Sequence, residues 1–157
     1  NEKFLNNWYL HFEWIKKFSE DFPQYKVVIK LKEDKLEFNK KLNDIFKNSN
    51  VKFIKSFHSY HIAFKAKATT TFASTIGFEL IGHGCDCVFL DPLNCNTSFL
   101  PKNDIHNLIK ITNYEDFKKD SQNKILNKKL SKNYNRNDYC LDSEKSSKRI
   151  SDFLKNQ

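Results

Sequence analysis

The side chains best suited to binding a ligand lie close together near the middle of the chain. Ser74 and Thr75 supply adjacent hydroxyl groups, Gly77 supplies an open stretch of backbone, and Glu79 supplies a carboxylate. The residues before them, 68–73 (ATTTFA), have the composition of a β-strand, and those after them have helical spacing. A helix that begins here presents backbone N–H groups and the positive end of its dipole, which favour phosphate. The stretch therefore predicts a site for a phosphate-bearing ligand.

The helix after these hydroxyls offers further ligand-binding groups. Gly77 in its first turn lets a ligand approach the backbone closely. Thr75, Glu79 and His83 are spaced four apart and share one face, where the Glu79 carboxylate can accept hydrogen bonds from ribose hydroxyls. Purely structural roles remain an alternative, with Ser74 as a helix N-cap and Glu79 as a solvated helix residue. The lack of a G-x-G-x-x-G or Walker A motif disfavours ordinary dinucleotide and P-loop sites.

The elements that must position these groups follow from the spacing of apolar residues. The predicted helices span residues 2–20, 34–47, 58–65, 74–83, 114–126 and 142–154, and the predicted strands span 25–31, 51–54, 68–73, 86–91 and 108–111. Polar connections are predicted at 94–102 and 127–138. Strands that alternate with helices predict one α/β domain over 1–157, a three-layer Rossmann-like fold with a parallel sheet and helices on both faces. Such a sheet binds ligands in the crevice beyond the carboxyl ends of its strands.

The charge of the chain narrows the class of partner. The formal net charge is +8, but only Arg136 and Arg149 among the 27 basic residues are arginines. Base-specific recognition of nucleic acid relies on bidentate arginine contacts, so we expect no nucleic-acid partner. An anionic small ligand or a nearby membrane surface suits the charge equally well. The sequence lacks an apolar run of the roughly 18 residues that a membrane span needs, and its start lacks a signal-peptide pattern, so we expect a cytoplasmic protein.

The cysteines do not follow a metal-binding pattern. His83, Cys85, Cys87 and Cys95 lack the spacing of a zinc knuckle or ribbon, and Cys87 lies inside an apolar, strand-like run. In the absence of an export signal, these cysteines and Cys140 are expected to be reduced thiols rather than a disulfide framework. We therefore predict buried free thiols, no metal site and no cofactor.

The same central stretch resembles a known group of enzymes. The run Ala68–Pro92, ATTTFASTIGFELIGHGCDCVFLDP, is similar to the signature of GT-B enzymes that build bacterial surface carbohydrates. Capsular and surface-polysaccharide glycosyltransferases and the related CDP-glycerol glycerophosphotransferases share this order of strand, hydroxyl pair, aromatic-acidic step and a strand ending in Asp-Pro. The later segments SFLP, LIKITNYEDF and SSKRISDFL also resemble that family, so the likeness covers residues 25–157.

The resemblance implies the C-terminal, donor-binding half of a two-domain enzyme. A nucleotide-activated sugar or CDP-glycerol would bind with its diphosphate at Ser74, Thr75 and the amides near Gly77, and with its ribose at Glu79. The family places a His-Pro or Lys-Pro-His step after a strand at the position of residues 28–32, and this chain has neither that histidine nor that proline. Lys30 or Lys32 would supply positive charge there instead.

The resemblance also bears on catalysis and on partners. His58 would contact the pyrophosphate or transfer a proton, in a loop that faces the cleft. The general base would belong to an N-terminal acceptor-binding domain, so this chain alone is expected to bind nucleotide weakly and catalyse little. The complete lack of methionine likewise suggests a piece of a longer polypeptide. The lysine- and asparagine-rich stretch 124–136 allows peripheral membrane contact, although a solvated connection is the alternative.

Two other functions stay open at this point. One is a non-catalytic nucleotide-sensing or protein-interaction domain on the same fold, because a fold does not settle a function. The other is a basic nucleic-acid-binding domain, whose affinity would fall steeply with salt and which would ignore free nucleotide diphosphates.

Overall fold

Five helices and five strands follow one another in the described part of the chain. A computed structural model describes residues 2–31, 36–55, 58–83, 85–95 and 110–126. The helices are α1 (Glu2–Asp21), α2 (Leu36–Ile45), α3 (Ser59–Ala63), α4 (Ile76–Gly82) and α5 (Tyr114–Ile125). The strands are β1 (Val28–Lys30), β2 (Lys52–Ile54), β3 (Thr69–Thr71), β4 (Cys87–Leu90) and β5 (Lys110–Ile111).

The strands form two small parallel sheets. β1 pairs with β2, with Ile29 opposite Phe53. β4 lies between β3 and β5, with Phe89 opposite both Thr71 and Lys110. Every described pairing is parallel, and helices connect β1 to β2, β2 to β3 and β3 to β4. Because parallel neighbours run in the same direction, the loops that follow β3, β4 and β5 leave the sheet at one edge, called here the carboxyl edge.

β4 is buried on both of its faces. Its four residues each expose 2% or less of their surface. Val88 and Leu90 belong to a large hydrophobic cluster whose other buried members are Phe12, Ile15, Phe18, Ile29, Leu42, Phe46, Ile111 and Phe117. Cys87 and Phe89 belong to a second cluster with Ala63, Leu80 and Ile81. Alternate side chains of a strand point to opposite faces, so β4 separates a layer formed largely by α1, α2 and α5 from one formed by α3 and α4.

The longest helix, α1, buries a mixed stripe rather than a purely apolar one. Phe12, Ile15 and Phe18 recur every three residues and lie in the larger cluster. Asn7 and His11 are buried on the same helix, at 0% and 5% exposure. The helix ends at Asp21, just before Phe22 and Pro23, as the proline predicts.

The last described helix, α5, is fixed at both ends. The Asn113 side chain accepts a hydrogen bond of 2.9 Å from the Asp116 N–H and so caps the helix. One turn along, Lys118 Nζ lies 3.0 Å from Asp21 Oδ2 of α1, and this hydrogen-bonded contact lowers the pKa of Asp21. Near its other end, Lys124 Nζ lies 2.8 Å from Asp120 Oδ2 in a buried ion pair. The Lys118–Asp21 contact joins α5 to α1, while the cap and the buried pair stabilise the helix itself.

The structure confirms the predicted α/β class and most of the predicted elements. The helices at 2–20, 34–47, 58–65, 74–83 and 114–126 each correspond to an observed helix within a few residues. All five strands are present. β1 to β4 are shorter than predicted, with three or four residues each, and part of the predicted strand 108–111 lies outside the described residues. The predicted helix 142–154 and connection 127–138 lie outside the described residues, as does most of the loop 94–102.

The close approach of α4 to the sheet depends on a glycine. A Cβ atom built at Gly77 would lie 2.7 Å from Thr71 Cγ2 and 2.9 Å from Phe89 Cε1. Real Cβ atoms do not approach carbon this closely, so any side chain here would push α4 off β3 and β4. Gly77 is therefore explained by packing against the sheet.

Gly77→Ala should lower the free energy of unfolding by about 2 kcal/mol, although alanine has the better helix propensity by about 1 kcal/mol. Urea unfolding measures the change. The Phe89→Leu background removes the ring that causes most of the overlap, so the alanine should cost much less there. Equal costs in the two backgrounds would contradict this packing account.

Candidate functional site

The turn between β3 and α4 holds the predicted hydroxyl groups at the carboxyl edge. Ala73 has a φ of 34°, a left-handed conformation that costs an L-residue with a Cβ atom about 1–2 kcal/mol. The next two residues begin the helix, since Gly77 N donates to Ser74 O at 3.1 Å and Phe78 N donates to Thr75 O at 3.0 Å. The backbone thus reverses sharply at Ala73 and places Ser74 and Thr75 directly beyond β3.

The hydroxyl of Thr75 is not used as a helix cap. Thr75 occupies the N-cap position, in a right-handed conformation and without a side-chain capping bond. Ser74 precedes it and is half-buried, whereas Thr75 is exposed. Ser74 O accepts the Gly77 N–H, as the carbonyl of an N-cap residue does, so Ser74 as the N-cap stays an alternative for this turn. Glu79, also half-buried, follows Thr75 by four residues, and its backbone N–H donates to Thr75 O at 3.3 Å.

Lys30 lies at the ends of β1 and β2. Its Nζ donates to Leu31 O at 2.9 Å and to Lys55 O at 3.0 Å. The ammonium thus joins carbonyl groups just beyond two neighbouring strands, and two of its three N–H donors are used in these contacts. Lys30 therefore places a positive charge at the carboxyl ends of β1 and β2, and Ser74 places a hydroxyl beyond the carboxyl end of β3.

His58 has contacts of a different kind. Its ring is exposed and stacks on Tyr60, with centroids 5.0 Å apart and planes 7° from parallel. Tyr60 in turn lies edge-on to His83, which follows the last turn of α4. His83 is eight residues past Thr75, about 12 Å along a helix axis. The described contacts of His58 therefore lead to the end of α4 opposite Ser74, and not to the hydroxyl pair.

A buried polar cluster that the sequence did not reveal lies at the end of β4. Asp91, fully buried, accepts hydrogen bonds through Oδ1 from Asn7 Nδ2 at 2.6 Å and from Cys95 N at 2.9 Å. Asn7 Oδ1 accepts a bond of 2.8 Å from Leu93 N, and Asn7 Nδ2 also lies 2.8 Å from Cys95 Sγ. Asn7 and Asp91 are 84 residues apart in sequence. Their contact holds the first half of α1 on the loop after β4.

The same half of α1 also covers the end of β3. His11 stacks on the ring of Phe72, the residue before Ala73, with centroids 5.4 Å apart, and Phe4 lies 5.1 Å from the same ring. His11 Nδ1 is 3.0 Å from Trp8 O, which fits a neutral ring that donates from Nδ1. Burial lowers the pKa of His11 to about 4, even though the bond to Trp8 opposes the shift. His11 is thus an uncharged packing residue at neutral pH.

One signal in the sequence pointed to this cluster. Asn7 and His11 are four residues apart and fall within the apolar face of α1, where polar side chains are uncommon unless they have partners. Asp91 ends an otherwise apolar strand in the same way. The pattern shows that these groups need partners, but it does not show that they find each other.

Two of the described thiols, Cys85 and Cys87, are poorly suited to nucleophilic chemistry. Burial raises the pKa of Cys87 to about 12 and raises that of Cys85 as well, so both are protonated at neutral pH. Among the described residues, no three His, Cys, Asp or Glu side chains are grouped so as to hold a metal ion. No helix in this part of the chain is long and apolar enough to cross a membrane.

The buried neutral His11 should make stability depend on pH. Because its pKa is lowered from 6.5 to about 4, the unfolded chain binds a proton that the native chain does not, and stability is lost as pH falls through this window. The histidine should lower the free energy of unfolding by about 2 kcal/mol between pH 8 and pH 5. His11→Phe should remove this part of the loss, and His61→Gln, at an exposed site, should not. Identical slopes in all three proteins would contradict a buried neutral His11.

The left-handed Ala73 provides a second test of the turn. Ala73→Gly removes the steric cost at φ 34° but adds the backbone entropy that glycine loses on folding. Ala66→Gly, in an exposed position without a positive φ, adds only the entropy cost. Ala73→Gly should therefore be about 1–2 kcal/mol more stable than Ala66→Gly in urea unfolding. A lower stability for Ala73→Gly than for Ala66→Gly would show that the turn is not strained.

Comparison with known proteins does not identify a family for this chain. It matches no family model, no curated protein and no solved structure. The resemblance to GT-B enzymes rests on the sequence motifs alone.

Proposed function

We propose that this domain binds a nucleoside diphosphate group at the carboxyl edge, and that it does so as the donor-binding half of a GT-B type transferase. The observation that carries the proposal is the turn after β3. There a left-handed Ala73 directs the adjacent hydroxyls of Ser74 and Thr75 to the end of a parallel strand, and the Thr75 hydroxyl is not used in capping. Backbone strain of this kind recurs at ligand sites.

The proposal includes a strand order of β2-β1-β3-β4-β5, with β1 beside β3. Among the described residues, β1 and β3 each pair with one strand only. Ile29 of β1 shares a cluster with Val88 and Leu90 of β4, so the two sheets face the same helices. In this order the chain passes from β1 to β2 on one side, and from β3 to β4 on the other side. Doubly wound sheets bind their ligands at such a switch point.

This order would bring the charged and hydroxyl groups to one crevice. Lys30 would lie on the β1 side and Ser74 and Thr75 on the β3 side. The remaining donor of the Lys30 ammonium and the two hydroxyls would then surround the diphosphate, whereas the Gly77 and Phe78 amides already donate to Ser74 O and Thr75 O. Such groups stabilise the negative charge that develops on a departing nucleotide. Glu79, on the Thr75 face, would bind the ribose.

The nature of the transferred group follows from the resemblance. The donor would be a nucleotide-activated sugar or CDP-glycerol, and an N-terminal acceptor-binding domain would complete the active site. The protein would act in the cytoplasm, with peripheral contact to the membrane where such acceptors are held. His58 has no place in this crevice on its described contacts, so the proposal does not assign it a catalytic role.

Binding can be measured by thermal shift and calorimetry with UDP, CDP, GDP, CMP and their sugar or glycerol conjugates. One diphosphate should raise the unfolding midpoint, because a ligand that binds only the native state stabilises it. The double variant Ser74→Ala/Thr75→Val should weaken binding by about a hundredfold, because it loses two hydrogen bonds to a charged group of about 1.5 kcal/mol each. The matched control Thr69→Val lies at the other end of β3 and should bind as the parent does.

Three results would overturn the proposal. The first is that no nucleotide changes the unfolding midpoint. The second is that the double variant binds with the affinity of the parent. The third is that Thr69→Val weakens binding as much as the double variant does. If the parent binds a nucleotide conjugate and the chain joined to an acceptor domain transfers nothing, the site is a sensor rather than half of an enzyme.

A further inference from the structure

A row of aromatic rings lies along α3 and contacts His83, at the end of α4 that is farther from Ser74. His58, Tyr60 and Phe64 form what is called here the aromatic ladder. His58 is stacked on Tyr60 at 5.0 Å, and Tyr60 is stacked on Phe64 at 6.1 Å with planes 25° apart. Phe64 is 54% exposed, more than Phe4 at 43%, the other exposed phenylalanine among the described residues. The ladder therefore presents an open ring face to solvent.

The ladder is held in place from α4. The His83 ring lies edge-on to Tyr60 at 6.5 Å and edge-on to Phe64 at 6.1 Å, with interplanar angles of 88° and 85°. Edge-to-face contacts of this kind fix ring orientation. A surface whose rings are already ordered loses little conformational entropy when a ligand stacks on it.

The charged residues that flank the ladder in sequence are positive. Residues 45–78 contain no aspartate or glutamate, although they make up more than a fifth of the chain. They contain five lysines, Lys47, Lys52, Lys55, Lys65 and Lys67. All five lysines are exposed. An anionic partner is favoured at this surface by charge complementarity.

We propose that single-stranded nucleic acid binds across α3, with bases stacked on the aromatic ladder and phosphates on the lysines around it. Single strands are bound by this combination of stacking rings and positive charge, because every unpaired base has a ring face to offer. Duplex bases are already stacked on one another, so the ladder favours the single strand.

The scarcity of arginine agrees with this form of binding. Base edges are read mainly by bidentate arginine, which residues 45–78 lack, whereas stacking and lysine–phosphate contacts do not depend on base identity. The expectation that nucleic acid is no partner rested on base-specific readout. It does not apply to sequence-tolerant binding at α3, which is also independent of the nucleotide site proposed at the carboxyl edge.

The test is fluorescence anisotropy with a labelled thymidine oligonucleotide of about fifteen bases in roughly 50 to 200 mM salt, and with a duplex of about the same length. Phe64→Leu keeps an apolar side chain but removes the ring, and should weaken single-strand binding by about tenfold. Lys65→Gln/Lys67→Gln should weaken binding and reduce the slope of log affinity against log salt by about 1.4, since each phosphate that a lysine neutralises accounts for about 0.7. Thermal midpoints confirm that each variant is folded.

Matched controls separate the ladder from general electrostatics. Lys40→Gln/Lys119→Gln removes the same charge from exposed positions on α2 and α5 and should change affinity by less than about twofold. Saturating nucleoside diphosphate should not displace the oligonucleotide from Phe64, Lys65 and Lys67, because these residues precede β3 whereas Ser74 and Thr75 follow it.

The proposal is overturned if the parent protein does not bind the oligonucleotide at the lowest salt concentration, or if duplex binds as tightly as the single strand. It is also overturned if Phe64→Leu binds normally, or if the control lysine pair weakens binding as much as the α3 pair. Binding to vesicles of anionic lipid that is stronger than binding to the oligonucleotide and unaffected by Phe64→Leu would assign the surface to membranes instead.

Discussion

The burial of β4 on both faces is the constraint on which the rest of this domain depends. A strand whose four side chains are all nearly inaccessible needs apolar layers above and below it, and the chain supplies them from α1, α2 and α5 on one side and from α3 and α4 on the other. The requirement reaches single residues, since α4 can cover Phe89 only because position 77 has no side chain. It also restricts the positions of polar side chains. Because apolar layers cover both faces of the strand, polar side chains next appear in the residues that follow its carboxyl end.

The order and type of the elements could be predicted from the sequence because they depend on local patterns. The three-residue recurrence of Phe12, Ile15 and Phe18 is enough to predict a helix, and the apolar run at 87–90 is enough to predict a strand buried on both faces. The partners of polar side chains could not be predicted in this way. Asn7 meets Asp91 across 84 residues of sequence, and only the packing of α1 against the end of β4 decides that contact.

The candidate site likewise combines features that local sequence patterns predict with contacts that they do not predict. A strand over 68–73 and a helix from Ser74 were predicted from local patterns, but the strand ends at Thr71 and the left-handed turn at Ala73 was not predicted. His58 was placed in a cleft because it follows a predicted strand, but its ring stacks on Tyr60, which approaches the far end of α4. Periodicity reveals which face of an element is covered, whereas the neighbour that covers it depends on how short strands and helices are arranged in space. The neighbour of His58 is the ring of Tyr60, and no sequence pattern had predicted that contact.

The packing of α1 is coupled to the proposed ligand site at the carboxyl edge, because both α1 and the proposed ligand contact the turn after β3. Phe72 contacts both His11 and Phe4 of α1, and the next residue is the left-handed Ala73, which precedes Ser74. A ligand that holds Ser74 and Thr75 must therefore also favour the position of Phe72 against α1. By thermodynamic reciprocity, contacts that fix α1 on the edge, including Asn7 with Asp91, favour the turn in its ligand-ready form. The buried polar cluster then has a reason to exist beyond stability, since an apolar pair would hold α1 less specifically in register with the turn.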